Sequence, residues 1–204
     1  MARIIDKEEK RLEIARAAIP LFAAKNISQI SIDEIAKNAS VAKGTIYLYF
    51  KNKEEIIFAI WDMLSQNHEE AYAKRALSAT SAKEKILEYF NFNECGLEYD
   101  KEQMITLYQH SVSAMLIDTT GLYTTYFERF IRQDYDLISA CLKEGVQSGE
   151  FEIDDIELLT YTIIMLLKGM LVRAKAYNMR FDEAQQTLIL HISSLLHQYT
   201  RKQS

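Results

Sequence analysis

A single proline, Pro20, stands in a chain of 204 residues, and only six glycines accompany it. Both residue types interrupt helices, proline by removing an N–H and crowding the preceding turn, glycine by its backbone entropy. A chain so poor in them, and rich in alanine, leucine, isoleucine, glutamate and lysine, is expected to be all-α. Its 49% hydrophobic and 26% charged residues suffice to bury a sizeable core, which excludes disordered, collagen-like and low-complexity classes.

The most apolar stretch, Leu158 to Leu167, covers about ten residues between Glu157 and Lys168, against the roughly 20 that a bilayer requires, so no membrane contact is expected. The opening residues, Met1 to Arg11, are charged where a secretory signal would be apolar. Cys95 and Cys141 lie far apart with no CxxC or Cys/His cluster, so neither a disulfide nor a zinc site is expected, and the expected setting is the reducing cytoplasm. The net charge of −5 is unevenly spread: residues 1–55 hold ten basic against eight acidic side chains, residues 56–204 fourteen against twenty-one. Such a division suits a small module that approaches phosphates, joined to an acidic body with another task.

Periodicity supplies the elements. Leu12, Ala15, Ile19 and Phe22 make an amphipathic helix of residues 8–25, bent at Pro20 and closed by Asn26 in the left-handed conformation. Ser31-Ile32-Asp33-Glu34 is a capping box that starts a short second helix. After the turn residues Asn38-Ala39-Ser40 the pattern resumes from Val41 to Tyr47, with Val41, Ile46 and Phe50 inward and Lys43, Thr45, Tyr47 and Leu48 on other faces. Asn52 caps a long connecting helix, residues 53–77, and further helices are expected near 82–95, 101–116, 121–148, 154–177 and 182–200.

Two short helices across a tight turn, braced by a preceding helix, are the parts of a helix-turn-helix, whose second helix fits the DNA major groove. Lys43 and Tyr47 share one face, and Gly44 and Leu48 the next. Glycine inside a helix costs about 1 kcal/mol relative to alanine. Either close backbone approach to a base edge or tight packing on a neighbouring helix accounts for Gly44.

Ile35-Ala36, the run Val41-Ala42-Lys43-Gly44-Thr45-Ile46-Tyr47-Leu48-Tyr49-Phe50 and Asn52-Lys53-Glu54 resemble the amino-terminal DNA-binding region of the TetR family of bacterial transcriptional regulators, over about residues 8–62. The resemblance implies a recognition helix from Ala42 to Leu48. It makes Ala42, Lys43, Gly44 and Thr45 base-facing or backbone-approaching, and Tyr47, Tyr49 and Lys53 phosphate-binding, with Ser31 and Leu48 completing the DNA-contacting set. Tyr49 has a place in the core as its other reading. Two departures stand out: Ser40 where the family's turn often has glycine, and Ala42 where it often has a capping serine. A missing cap costs about 0.5–2 kcal/mol.

The resemblance also implies a carboxy-terminal helical body that binds a small molecule and pairs with a second copy. The expected division is residues 1–52 for DNA and 53–204 for ligand and pairing. Tyr89, Phe92, Met104, Tyr108, His110, Tyr123, Tyr126, Phe127, Phe130, Tyr161 and Met165 are large and adaptable, and suit a largely apolar or aromatic effector. Ile156, Leu159, Ile163, Leu166, Leu167 and Met170, together with Leu188, Ile192, Leu195, Leu196 and Tyr199, give the last two helices apolar groups on nearly every face, which makes them the expected homodimer surface or a monomer's central core. Two recognition helices related by a two-fold axis would read a palindromic operator.

No cofactor, metal or catalytic residue is expected. Asp154-Asp155-Ile156-Glu157 opens a helix, where acids favour the positive end of its dipole, His191 and His197 fall on different faces, and no nucleophile-and-base or phosphate-loop motif occurs. The expectation is a ligand-responsive DNA-binding repressor. An all-helical carrier or enzyme without DNA binding is the alternative.

Overall fold

A computed structural model describes residues 7–92 and 101–201. Its elements are α1 (Lys7–Ala24), α2 (Ile32–Asn38), α3 (Lys43–Tyr49), α4 (Lys53–Ala76), α5 (Ala82–Tyr89), α6 (Lys101–Ile117), α7 (Leu122–Gln147), α8 (Ile156–Ala176) and α9 (Phe181–His197), with one 3-10 turn at Ile27–Gln29. No strand forms among the described residues beyond an isolated antiparallel bridge between Phe151 and Thr200. The all-α expectation holds. The helices gather into two compact units.

The first unit is built from α1, α2, α3, α4 as far as Asn67, and α6, so it runs past residue 52 and takes in a helix from the middle of the chain. Ile14, Ile19, Phe22, Ile35, Ile46, Phe50, Ile56 and Ile60 are among its buried apolar groups. α6 packs on α1, and His110 Nδ1 lies 2.8 Å from the Phe22 carbonyl, one of the groups that the end of α1 leaves without a helical partner. The indole of Trp61 donates to Ser111 Oγ at 2.9 Å and stands edge-on to Tyr108. Pro20 lies on the exposed side of α1, where the Arg16 carbonyl it cannot bond is on the water side. Asn26 is a correction to the sequence reading: its φ of −59° and ψ of 143° are extended, because the chain turns at once to bury Ile27 and Ile30. Among the described residues, the left-handed non-glycine ones are instead Ser40 and Asn178.

The second unit comprises α4 from His68 onward, α5, α7 from Thr124, α8 and α9. Ile86, Phe90, Ile138, Leu142, Phe151, Leu159, Ile163, Leu188, Ile192 and Leu196 form its core. The turn after α7 ties several elements together. Gly149 turns it with φ +78°, Phe151 plugs the core, and the Glu150 carboxylate accepts the Ala82 and Lys83 N–H groups at 2.7 and 3.0 Å, capping α5 from outside its own segment. Glu152 N–H donates to the Tyr199 carbonyl and Arg201 N–H to that of Glu150, which fastens the chain beyond α9 to the same turn. α5 stops at Tyr89 rather than near residue 95, and the Phe92 N–H donates to Gln185 on α9 instead of to its own helix; residues 93–95 lie outside the described ones, as does Cys95.

Candidate nucleic-acid interface

The capping box forms as the sequence implies. Ser31 Oγ accepts the Glu34 N–H at 3.2 Å while the Glu34 carboxylate accepts the Ser31 N–H at 2.9 Å. The Lys25 ammonium bond above all, with the two Ser31 bonds, holds the Glu34 carboxyl down to about 2, so the cap persists through the ordinary pH range. α2 ends at Asn38, and Ser40 makes the turn with φ +53° while the Val41 N–H reaches back to the Ala36 carbonyl at 3.0 Å. Ala42 stands at the N-cap of α3, where its methyl makes no cap bond. Arg11 fixes the far end: its guanidinium donates to the Tyr49 carbonyl at 3.0 Å and lies over the Phe50 ring at 4.5 Å.

α3 thereby turns Ile46 wholly inward and leaves the opposite side open. Tyr47 is 54% and Leu48 70% exposed, Ala42, Lys43 and Gly44 are exposed, and Thr45 and Tyr49 are half-buried. Nothing lies within 4 Å of the position a Gly44 Cβ would take, which removes packing as the reason for that glycine. Lys43 Nζ bonds Asp33 Oδ2 at 2.8 Å, and this carboxylate holds the ammonium above its ordinary range. Lys53 Nζ donates to the Ser28 and Ile30 carbonyls at 3.2 and 3.1 Å, so it stitches the 3-10 turn to the start of α4, with a third N–H in hand. Asn52 caps α4 by accepting the Glu55 N–H at 2.8 Å.

Ser40 gives a direct test of the turn. The left-handed conformation costs a residue with a Cβ about 1–2 kcal/mol, partly offset by the extra freedom that glycine has when unfolded. Ser40→Gly is expected to stabilise the protein by about 0.5–1 kcal/mol, read from the urea midpoint at unchanged slope.

The expected effector residues divide between the two units. In the first, Tyr123 is buried edge-on to Phe58 at 5.4 Å, Tyr108 contacts Trp61, His110 serves the end of α1, and Met104 is half-buried. In the second, Tyr126, Phe127 and Phe130 pack on one another at centroid distances of 5.2, 5.5 and 6.0 Å, with Arg129 4.2 Å above the Tyr126 ring. Phe92 lies against His68 and Phe181. Tyr161 and Met165 are not brought to these groups. They lie with Leu158 and Val172 along the outward side of α8.

Sequence reasoning missed a polar cluster inside the second unit. Asp134, 8% exposed, accepts the Tyr89 hydroxyl at 2.5 Å and the Lys168 ammonium at 3.2 Å. The signal was present, since Lys168 is the lone charge between Leu158 and Met170. Beside this cluster His68 stands edge-on to Tyr89 and lies tilted against Phe92, and burial, reinforced by the Arg75 charge, lowers its imidazole to about 4. In the unfolded chain a histidine titrates near 6.5. The folded value is the lower one, so the unfolded state takes up the proton first, and stability is lost as pH falls from about 6.5 toward 4. The His68 contribution at pH 5 relative to pH 7 is a loss of about 2 kcal/mol. His68→Gln is expected to flatten that part of the pH profile of urea unfolding.

No helix among the described residues is long and apolar enough to cross a membrane, and no group of three His, Cys, Asp or Glu side chains placed to hold a metal occurs among them.

Comparison with known proteins fits this geometry. A profile of bacterial regulatory proteins of the tetR family matches residues 14–60, and one of the carboxy-terminal region of QacR-like proteins matches residues 64–196. The fatty acid metabolism regulator protein of Bacillus subtilis is 30% identical over 147 residues, 72% of this chain and 73% of that protein. A TetR-family regulator from Cytophaga hutchinsonii superposes with a TM-score of 0.77 at 18% identity, covering 97% of this chain and 98% of its own. FadR from Bacillus subtilis, solved with stearoyl-CoA, gives 0.68 at 24% identity, covering 90% and 96%. The chain belongs to the TetR family of bacterial transcriptional regulators. It is a DNA-binding transcriptional regulator.

Proposed function

We propose that the protein is a cytoplasmic repressor that holds a palindromic operator as a homodimer and is released by a largely apolar small molecule. The observation that carries the DNA-binding assignment is the open side of α3: a glycine without neighbours, flanked by exposed Lys43, Tyr47 and Leu48, on a helix anchored by a fully buried Ile46. Ala42, Lys43, Gly44 and Thr45 face bases. Ser31, Tyr47, Tyr49 and the remaining N–H of Lys53 meet phosphates, fixing register rather than sequence. DNA contact is thus the task of residues 1–52, and effector binding and pairing that of 53–204.

The aromatic group of Tyr126, Phe127 and Phe130, with Tyr89 and Phe92, provides apolar surface with hydroxyls for an effector. A fatty acid metabolism regulator among the relatives, and a stearoyl-CoA complex among the similar structures, favour a long acyl compound as the first ligand to try. Pairing uses the outward stripe of α8, Leu158, Tyr161, Met165 and Val172, with Leu190 of α9. An effector that prefers the DNA-incompetent state by about 1–3 kcal/mol suffices for release. The proposed role is regulatory and not enzymatic.

Selection of bound fragments from a random duplex library tests this reading. It should return a palindrome with half-sites about 34 Å or a multiple apart, with affinity falling as salt rises. Gly44→Ala separates function from folding: it is expected to stabilise α3 by about 1 kcal/mol while weakening operator binding at least tenfold. Recovery of no preferred sequence would refute DNA recognition.

A further inference from the structure

The surface that α3 presents carries one charged pair. Lys43 Nζ donates to Asp33 Oδ2 at 2.8 Å, and both side chains are more than half exposed. Glu34, the next residue, is used locally, since its carboxylate takes the Ser31 N–H, the Ser31 hydroxyl and Lys25 Nζ. Asp33 differs: among the described residues it bonds Lys43 through Oδ2, and Oδ1 stays open as an acceptor. Lys43 keeps two of its three N–H donors.

An exposed ion pair contributes little to stability, and an acid on a DNA-binding surface is repelled by phosphates. Base recognition gives both charges a use. In a G·C pair, guanine O6 and cytosine N4 are hydrogen-bonded to each other and so lie about 2.9 Å apart at the major-groove edge, an acceptor beside a donor. With Nζ bonded to Oδ2 at 2.8 Å, the free N–H groups of Lys43 stand beside the free lone pairs of the Asp33 carboxylate, a donor beside an acceptor in the sense that complements that edge. Guanine N7 offers a second acceptor to the same ammonium. An A·T pair repeats the pattern in thymine O4 and adenine N6, but the thymine methyl then occupies the place of N7.

We infer that Asp33 and Lys43 act as one unit that reads a G·C pair in each half-site, Lys43 donating to guanine O6 and N7 and Asp33 accepting from cytosine N4. Asp33 is then a specificity-determining residue on α2, outside the recognition helix. This rests on the DNA-binding reading above.

The test repeats the duplex selection with the full-length wild-type protein, Asp33→Ala and Asp33→Asn, followed by affinities at one salt concentration for the recovered site, for the same site with the G·C pair replaced by A·T, and for an unrelated duplex. The wild type is expected to prefer G·C at one position of each half-site by about tenfold. Asp33→Ala is expected to reduce that preference to about twofold or less while binding the unrelated duplex at least as well, because an acid has been removed. Asp33→Asn is expected to move the preference toward A·T, since an amide pairs with adenine N6 and N7, and a gained preference cannot come from misfolding. A wild-type palindrome without such a G·C position, or variants that keep every wild-type preference, would overturn the inference and leave DNA binding standing. A wild type that selects no sequence would overturn both.

Discussion

Met165→Glu is expected to yield a folded monomer that no longer holds its operator. Met165 is 54% exposed and Leu158 65%, and with Tyr161 and Val172 they line the outward side of α8. In a lone subunit the substitution faces water, where surface changes alter stability by less than about 0.5 kcal/mol. In a two-fold pair it places two carboxylates in an apolar interface, and an uncompensated buried charge costs about 3–5 kcal/mol. Pairing should weaken by more than a hundredfold, and operator affinity should fall with it, because one recognition helix reads only a few base pairs. Sedimentation at micromolar concentration checks the first effect, and binding to a full against a half operator checks the second. A variant that stays dimeric would mean that pairing runs through a different surface.

Gly145→Ala is the substitution expected to cost the second unit most for the smallest change in size. A methyl at this position overlaps the Phe151 ring and sits 3.0 Å from Ala82 Cβ. Phe151 is fully buried, and its N–H donates to the Gly145 carbonyl at 3.0 Å, so ring and backbone are fixed to each other. Overpacking of this kind costs about 1–3 kcal/mol, although alanine is the better helix former by about 1 kcal/mol. Because the same turn caps α5 through Glu150 and holds Tyr199 and Arg201, the loss should appear as a lower urea midpoint for the whole second unit.

What was readable in the sequence was whatever is decided locally. The Ser31–Glu34 box, the Asn52 cap and the spacing of Ile46 and Phe50 each depend on residues a few positions apart, and all three form. The open side of α3 followed from the same spacing. Asn26 was misread because its conformation is set by the burial of Ile27 and Ile30, a tertiary demand that overrides local preference. The last two helices were harder for another reason. A helix apolar on nearly every face does not disclose which face is inward, and Leu159, Ile163, Leu188 and Ile192 prove to be the unit's own core, while Leu158, Met165 and Leu190 are left outside. Asp134, Lys168 and Tyr89 meet from three separate helices, and no spacing rule could have joined them.

Trp61 is the chain's only tryptophan, and it belongs to the first unit, against Ser111 and Tyr108. The protein therefore carries its own optical label on one half of itself. Indole emission will follow the melting of the first unit alone, whereas circular dichroism sums both. Whether the two halves come apart together or in turn can be read by laying one curve over the other, with no dye attached.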